Sequence, residues 1–326
     1  MLILCVHFQF LAVIQQNNMN QFIRIFFSFS ITALLVILPL TTQARAESLA
    51  IVPRSALEWF NLGVEQIQHD QYEPALHDFT QAIELDSDFA EAYSNRCLVY
   101  IQLGDYIQAT EDCSTALTLN LNNTEAYLNR GLAYHRLRNY SEAISEYNQV
   151  IERVQDDLRA YYNRGLSRFE LQDFQGAIAD YNQALNKSDR VSNRQQVEIY
   201  NDRGLARLMM GNFDGAIADF SLAINLDTNN HRAFYNRACA CHRMGDLLSA
   251  VRDFTAALQL DPNHAEAYVN RGIIHHELGF QQAALSDLKA ASKQFHQQGN
   301  RVAYQQTLAL IERLQLLLRS WDDAIG

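Results

Sequence analysis

Six arginines each stand sixteen residues ahead of an acid: Arg96 and Asp112, Arg130 and Glu146, Arg164 and Asp180, Arg203 and Asp219, Arg237 and Asp253, Arg271 and Asp287. A guanidinium and a carboxylate at fixed separation can pair with each other, or the arginine fork can take a charged ligand. A second series is amide: Asn61, Asn95, Asn129, Asn163, Asn236 and Asn270, with Asp202 as the single substitute. An amide carries both donor and acceptor, so a row of them can clasp the backbone of an extended peptide whatever its side chains. The plainer alternative is a local hydrogen bond within each helix. Cys239 and His242, with His276 34 residues after His242, are weak candidates for a soft metal ion. There is no Gly-rich phosphate loop, no HExxH and no G-x-S-x-G, so no catalytic residue is assigned and no cofactor is expected.

These series share one period. With Ala56, Ala90, Thr124, Leu158, Val197, His231 and Ala265 aligned as slot 1, the spacing is 34 residues throughout except for one step of 39. The extra residues of that step fall in the polar stretch Asn186 to Gln196, read as a longer connector. The arginines occupy slot 7 (Leu62 in the first repeat), the acids slot 23 (Asp78 in the first), and the amides slot 6. Slot 4 is aromatic (Trp59, then Tyr or Phe), slot 20 is alanine in all seven repeats, and Gly104, Gly211, Gly245 and Gly279 fall at slot 15. Apolar residues recur at helical spacing on both sides of slot 15, where a glycine can end a helix and turn the chain.

Trp59, Leu62 and Gly63, followed by Ala75, Phe79 and Ala82, resemble the tetratricopeptide repeat family in its W-x2-L-G, A, F and A pattern. The resemblance covers Ala56 to Gln298 and implies an all-α solenoid of helix-turn-helix units in a right-handed superhelix. Two features depart from the pattern: the slot 32 proline appears only as Pro262, and tyrosine at slot 11 only as Tyr100 and Tyr134. The organisation expected is a signal peptide over 1–46, a short linker over 47–55, and repeats at 56–89, 90–123, 124–157, 158–196, 197–230, 231–264 and 265–298. A capping helix and tail follow over 299–326. In the helix Arg301 to Ser320, Val302, Leu308, Ile311, Leu314, Leu317 and Leu318 sit at helical spacing to cover the last repeat, with a dimerisation segment as the alternative.

An antiparallel hairpin turning near slot 15 brings slots 7 and 23 together, which predicts a ladder of partly buried ion pairs fixing helix register. It also places Cys97 opposite Cys113. A disulfide there would contribute about 3 kcal/mol, and two small core residues are the alternative. Slots 2, 5, 6, 9, 12 and 13 point away from the partner helix. The amide row would then line a concave face among apolar residues that include Phe60, Tyr162, Phe169 and Tyr235. Such a face reads as a peptide or protein site. The row is similar to the asparagine ladder in the repeats of the nucleocytoplasmic glycosyltransferase that modifies Ser and Thr, a resemblance confined to the repeats. Charges among these residues, such as Arg136, Arg159, Glu170 and Glu198, are of both signs.

From Met1 to Ala46 there is no acid, and the only arginines are Arg24 and Arg45. Starting at Met19, a short polar region, an apolar run from Ile25 to Leu40 and Ala44-Arg45-Ala46 form a secretory signal with cleavage after Ala46. The alternative is an uncleaved membrane anchor. Loss of Arg24 and Arg45 would take the net charge from −11 to −13, and with only three lysines in the chain nucleic acid is not an expected partner. The expectation is a non-enzymatic exported scaffold in a periplasm, a thylakoid lumen or outside the cell. It would hold an extended peptide or partner helix and support assembly or stabilisation of a complex. A substrate-recognition subunit of a separate enzyme and a metal carrier are the alternatives.

Overall fold

The computed structural model describes residues 54–186 and 192–325, with side chains described through residue 318. The signal segment 1–46, most of the linker and residues 187–191 lie outside the described residues. Among the described residues are fifteen helices and no strand. Hairpins pair α1 (Ala56–Gln68) with α2 (Tyr72–Leu85), α3 (Ala90–Leu103) with α4 (Tyr106–Leu119), and α5 (Thr124–Arg136) with α6 (Tyr140–Arg153), followed by α7 (Leu158–Glu170) and α8 (Phe174–Leu185). They continue as α9 (Asn193–Met209) with α10 (Phe213–Leu226), α11 (His231–Met244) with α12 (Leu247–Leu260), and α13 (Ala265–Glu277) with α14 (Gln281–Gln297). The last helix is α15, Arg301–Ile325. The chain forms two compact units, one ending at Gln172 and the other beginning at Asp173.

Local chemistry sets the helix limits. Six first helices begin at slot 1. The exception is α9, which starts four residues early at Asn193, where Ser192 and Gln195 make a capping box. The connector read as Asn186 to Gln196 is therefore shorter than expected, because its end winds into helix. All seven second helices begin at slot 17, several behind a capping Asp or Asn: Asp105, Asp173, Asn212 and Asp246 each accept from a first-turn amide. Slot 15 is left-handed in every repeat. Glycine fills it at Gly104, Gly211, Gly245 and Gly279, but Asp70, Arg138 and Gln172 take φ of 56°, 64° and 63° there without glycine's freedom.

The slot 20 alanines are fully buried in all seven repeats, and slot 24 is an aromatic ring in five of them, each fully buried. Slot 8 is glycine opposite Phe79, Tyr147 and Phe220, whereas Ala238 stands at that slot in the repeat of Phe254. A Cβ on Gly63, Gly131 or Gly204 would come within 2.7 Å, 2.7 Å and 2.6 Å of Phe79, Tyr147 and Phe220. In the second repeat both members change together: slot 8 is Cys97 and slot 24 is Cys113, and the two are bonded, with Cα atoms 5.5 Å apart. The structure thus has the disulfide in place of the ring-on-glycine contact. In α15 the covered face is Ala303, Thr307, Ile311 and Leu314. Val302 and Leu317, expected to cap, are instead 65% and 43% exposed. The covering stripe follows an i, i+4, i+8, i+11 path that excludes them.

Candidate functional site

The charge ladder forms, and it is more heavily committed than the sequence reading implied. Arg96 meets Asp112 through Nε at 2.6 Å and Nη2 at 2.8 Å. Arg203 grips Asp219, Arg237 grips Asp253 and Arg271 grips Asp287 with the same two-pronged geometry, and Arg130 holds Glu146. The third nitrogen, Nη1, reaches back to slot 25 of the preceding repeat. Arg96 donates to Thr80, Arg130 to Ser114, Arg164 to Asn148, Arg203 to Asn182, Arg237 to Ser221 and Arg271 to Thr255. Each guanidinium also lies over the slot 4 ring one turn earlier, at 5.4 to 5.8 Å. These arginines make their bonds within the repeats, although Arg130 Nε is buried without an acceptor, so they are occupied rather than free for a ligand. The polar pattern at slot 25 was visible in the sequence; its link to slot 7 was not.

The amide row is not uniform. Asn61 is exposed and Asn95 and Asn163 are half-buried, while Asn129, Asn236 and Asn270 are 6%, 4% and 3% exposed. Asn95 donates to its own helix at Glu91 O, 2.9 Å, which is the local alternative. In the unit beginning at Asp173 the row is closed by neighbouring repeats. Arg232 spans Glu198 at 3.1 Å and Asp202 at 2.5 Å. Asn270 donates to the Tyr235 hydroxyl at 3.0 Å, and the His264 ring stacks on Tyr235 with centroids 4.6 Å apart. That contact joins slot 6 of one repeat to slot 5 of the repeat before. The equivalent pair one repeat earlier is Asn236 and Asn201. Here Asn201 is fully buried with neither amide atom hydrogen-bonded, and Asn236 Nδ2 has no partner.

Most of the apolar face expected to line the groove is also covered. Leu98, Leu128, Tyr162, Leu205 and Val269 are buried, because first helices of successive repeats touch one another, as α3 does α5 and α9 does α11. Phe60, Val64, Leu132, Leu166 and Phe169 stay half-buried in the unit ending at Gln172. His135 lies among them, its Nδ1 3.0 Å from Ser167 Oγ. Burial pushes its pKa down to about 4, so the ring is neutral at ordinary pH and donates from Nδ1, since the serine hydroxyl itself donates to Asn163 O.

The metal candidates do not converge. Cys239 is 3% exposed, His242 Nε2 lies 3.3 Å from Glu277, and His276 Nδ1 lies 2.6 Å from Gln281 Oε1. Among the described residues no group of three His, Cys, Asp or Glu side chains is placed to hold a metal ion. Burial raises the Cys241 thiol to about 11, which leaves it protonated and unreactive. Among the described residues no helix is long and apolar enough to cross a membrane.

Helical hairpins repeating at 34 residues, with one step of 39, define a tetratricopeptide-repeat protein. The chain belongs to the family of the ETO1 C-terminal domain, whose model matches residues 91–279, more than half of its length. No curated protein sequence matches it. Among solved structures it is similar to a tetratricopeptide repeat protein from Parabacteroides merdae, at 19% identity and a TM-score of 0.59, covering 78% of this chain and 98% of that one. It is also similar to the APC/C hetero-tetramer Cut9-Hcn1, at 20% identity and a TM-score of 0.59, covering 69% of this chain and 43% of that one. A third is YrrB, a TPR protein with an unusual peptide-binding site, at 22% identity and a TM-score of 0.50, covering 58% of this chain and 95% of that one.

Proposed function

We propose that the chain is a non-enzymatic protein-interaction scaffold that holds an extended peptide or a partner helix against the first helices of the unit ending at Gln172, and so supports assembly or stabilisation of a protein complex. The observation that carries this reading is the contrast along slot 6. Asn61 is exposed and Asn95 and Asn163 are half-buried, beside Phe60, Leu166 and Phe169, whereas Asn129, Asp202, Asn236 and Asn270 are buried. Exposed amide dipoles next to partly covered apolar side chains supply both parts of peptide recognition, backbone hydrogen bonds and side-chain pockets. Two proteins of the same fold add general support: YrrB is described by its peptide-binding site, and Cut9 by a hetero-tetramer.

A displayed library of random peptides tests it. Wild-type protein should enrich a peptide family, the Asn61→Ala/Asn163→Ala double variant should lose it at least about tenfold, as deletion of two hydrogen bonds implies, and Asn236→Ala should retain it. Equal capture by the two variants, or no enrichment by wild type, sinks the reading. We further propose that the protein is exported, on the strength of the 1–46 signal pattern, with the Cys97 and Cys113 bond consistent with an oxidising compartment. N-terminal sequencing of the mature protein should then begin at Glu47; a start at Met1 or Met19 would reject cleavage.

A further inference from the structure

Arg136, the last residue of α5, differs from the other buried arginines. At slot 7, Arg96, Arg130, Arg203, Arg237 and Arg271 hold in-repeat acids, Arg159 holds Asp157 and Glu125, Arg207 holds Asp219, and Arg232 holds Glu198 and Asp202. Arg136 has no carboxylate among the described residues. Burial lowers its pKa, and the ionisable groups that act on its charge are Tyr106 and Tyr147, with His135 beside it in sequence and neutral. Its Nε–H is buried without an acceptor, and the fully buried Tyr147 hydroxyl is likewise without a partner. The side chain is only half-buried as a whole, so the end of the fork can be reached from outside.

Repeat geometry indicates where it sits. In the next repeat slot 13 is Glu170, whose carboxylate is met by the hydroxyl of Tyr140 at slot 17 of the repeat before, 3.5 Å away. One repeat earlier the same two slots are Arg136 and Tyr106, which puts a cation where its neighbour has an anion. A guanidinium drawn out of water without a counter-charge destabilises the fold unless something completes it, and it stays charged at any physiological pH. One planar fork beside two phenols matches a carboxylate.

We propose that Arg136, flanked by Tyr106 and Tyr147, forms a carboxylate-binding site on the second and third repeats, which takes an acidic side chain or the chain end of a partner protein. The test follows the Arg136 Nε–H signal in the nitrogen-15 spectrum of the full chain, assigned by its loss in Arg136→Gln. Sodium acetate should move it saturably, and sodium chloride at the same ionic strength should not. No movement, or equal movement with both salts, overturns the site. Two ten-residue peptides then separate the sources: one has a central Glu and an amidated end, the other has Gln there and a free carboxyl end. Whichever displaces acetate at the lower concentration identifies the source, and failure of both rejects a protein ligand. Helical circular dichroism of Arg136→Gln confirms that it is folded. Acetate binding needs no peptide groove, so this result is independent of the scaffold reading.

Discussion

The two units are built from the same 34-residue period yet treat the same slots differently. In the unit ending at Gln172, slot 15 holds Asp70, Gly104, Arg138 and Gln172, and slot 6 leaves Asn61 exposed and two more amides half-buried. In the unit beginning at Asp173, slot 15 is glycine three times over and every slot 6 residue is buried. There the first helices are tied across repeats by Arg232, by Asn270 on Tyr235, and by His264 on that ring. The later unit buries its slot 6 groups, pairing Asp202 and Asn270 while Asn236 Nδ2 is left without a partner. The earlier unit tolerates strained turns and leaves polar groups facing outward, as expected of a region that binds something else.

The comparison breaks most sharply at the charge ladder. Asp219, 1% exposed, holds both Arg203 and Arg207. Asp219→Asn should cost about 3–5 kcal/mol by stranding two guanidiniums. In the first repeat Asp78 has Leu62 at slot 7 where the others have arginine, and burial raises its carboxyl pKa. Asp78→Asn should be neutral or stabilising, and urea titrations of the two variants measure the difference.

The next effect depends on pH and belongs to the earlier unit. His135 takes a proton at about 4 when folded against roughly 6.5 when unfolded. The unfolded chain therefore binds more protons between those values, and stability falls as pH drops through that window. The full loss is about 3 kcal/mol, complete below pH 4. Replacing His135 with Gln should flatten that slope in denaturation measured from pH 7 to pH 4. His231 in the later unit is shifted in the same direction by burial and contributes to the slope that remains.

Two smaller changes sharpen the contrast. Asn201→Tyr copies the contact between Tyr235 and Asn270 one repeat earlier and should add about 1 kcal/mol by giving Asn236 a partner; a loss of stability would show that no space for the phenol exists. Arg138→Gly and Gln172→Gly should each gain up to about 1 kcal/mol by relieving a left-handed non-glycine residue. Gly211→Ala at the matching slot of the later unit should lose a similar amount. Thermal unfolding midpoints check all four variants.

The helical hairpin was legible because its determinants are local. Slot 17 starts every second helix, slot 15 turns the chain, and the sixteen-residue separation of Arg96 and Asp112 is the distance at which an antiparallel pair faces itself. The same rule brought Cys97 against Cys113, although whether their Cα atoms would come as close as 5.5 Å depended on the crossing. The candidate site was less legible. The face containing Leu98, Leu128 and Leu205 reads as a groove when a repeat is considered alone, and it is buried once the next first helix lies on it. The register of α15 was misjudged for a related reason: Val302 and Leu317 fit a helical stripe, but the surface of α14 selects the stripe through Ala303 and Ile311.

The sequence alone determined the period, the all-helical hairpin, the turn at slot 15 and the pairing of slots 7 and 23, because each depends on spacing within one repeat. Only the tertiary structure decided that the third arginine nitrogen bridges to slot 25, which amides stay open, and that Arg136 lacks an acid. Those outcomes depend on the offset between neighbouring repeats and on which side chain the neighbour presents there. A single non-local contact between two repeats therefore decides whether a polar group is closed inside the solenoid or left for a partner.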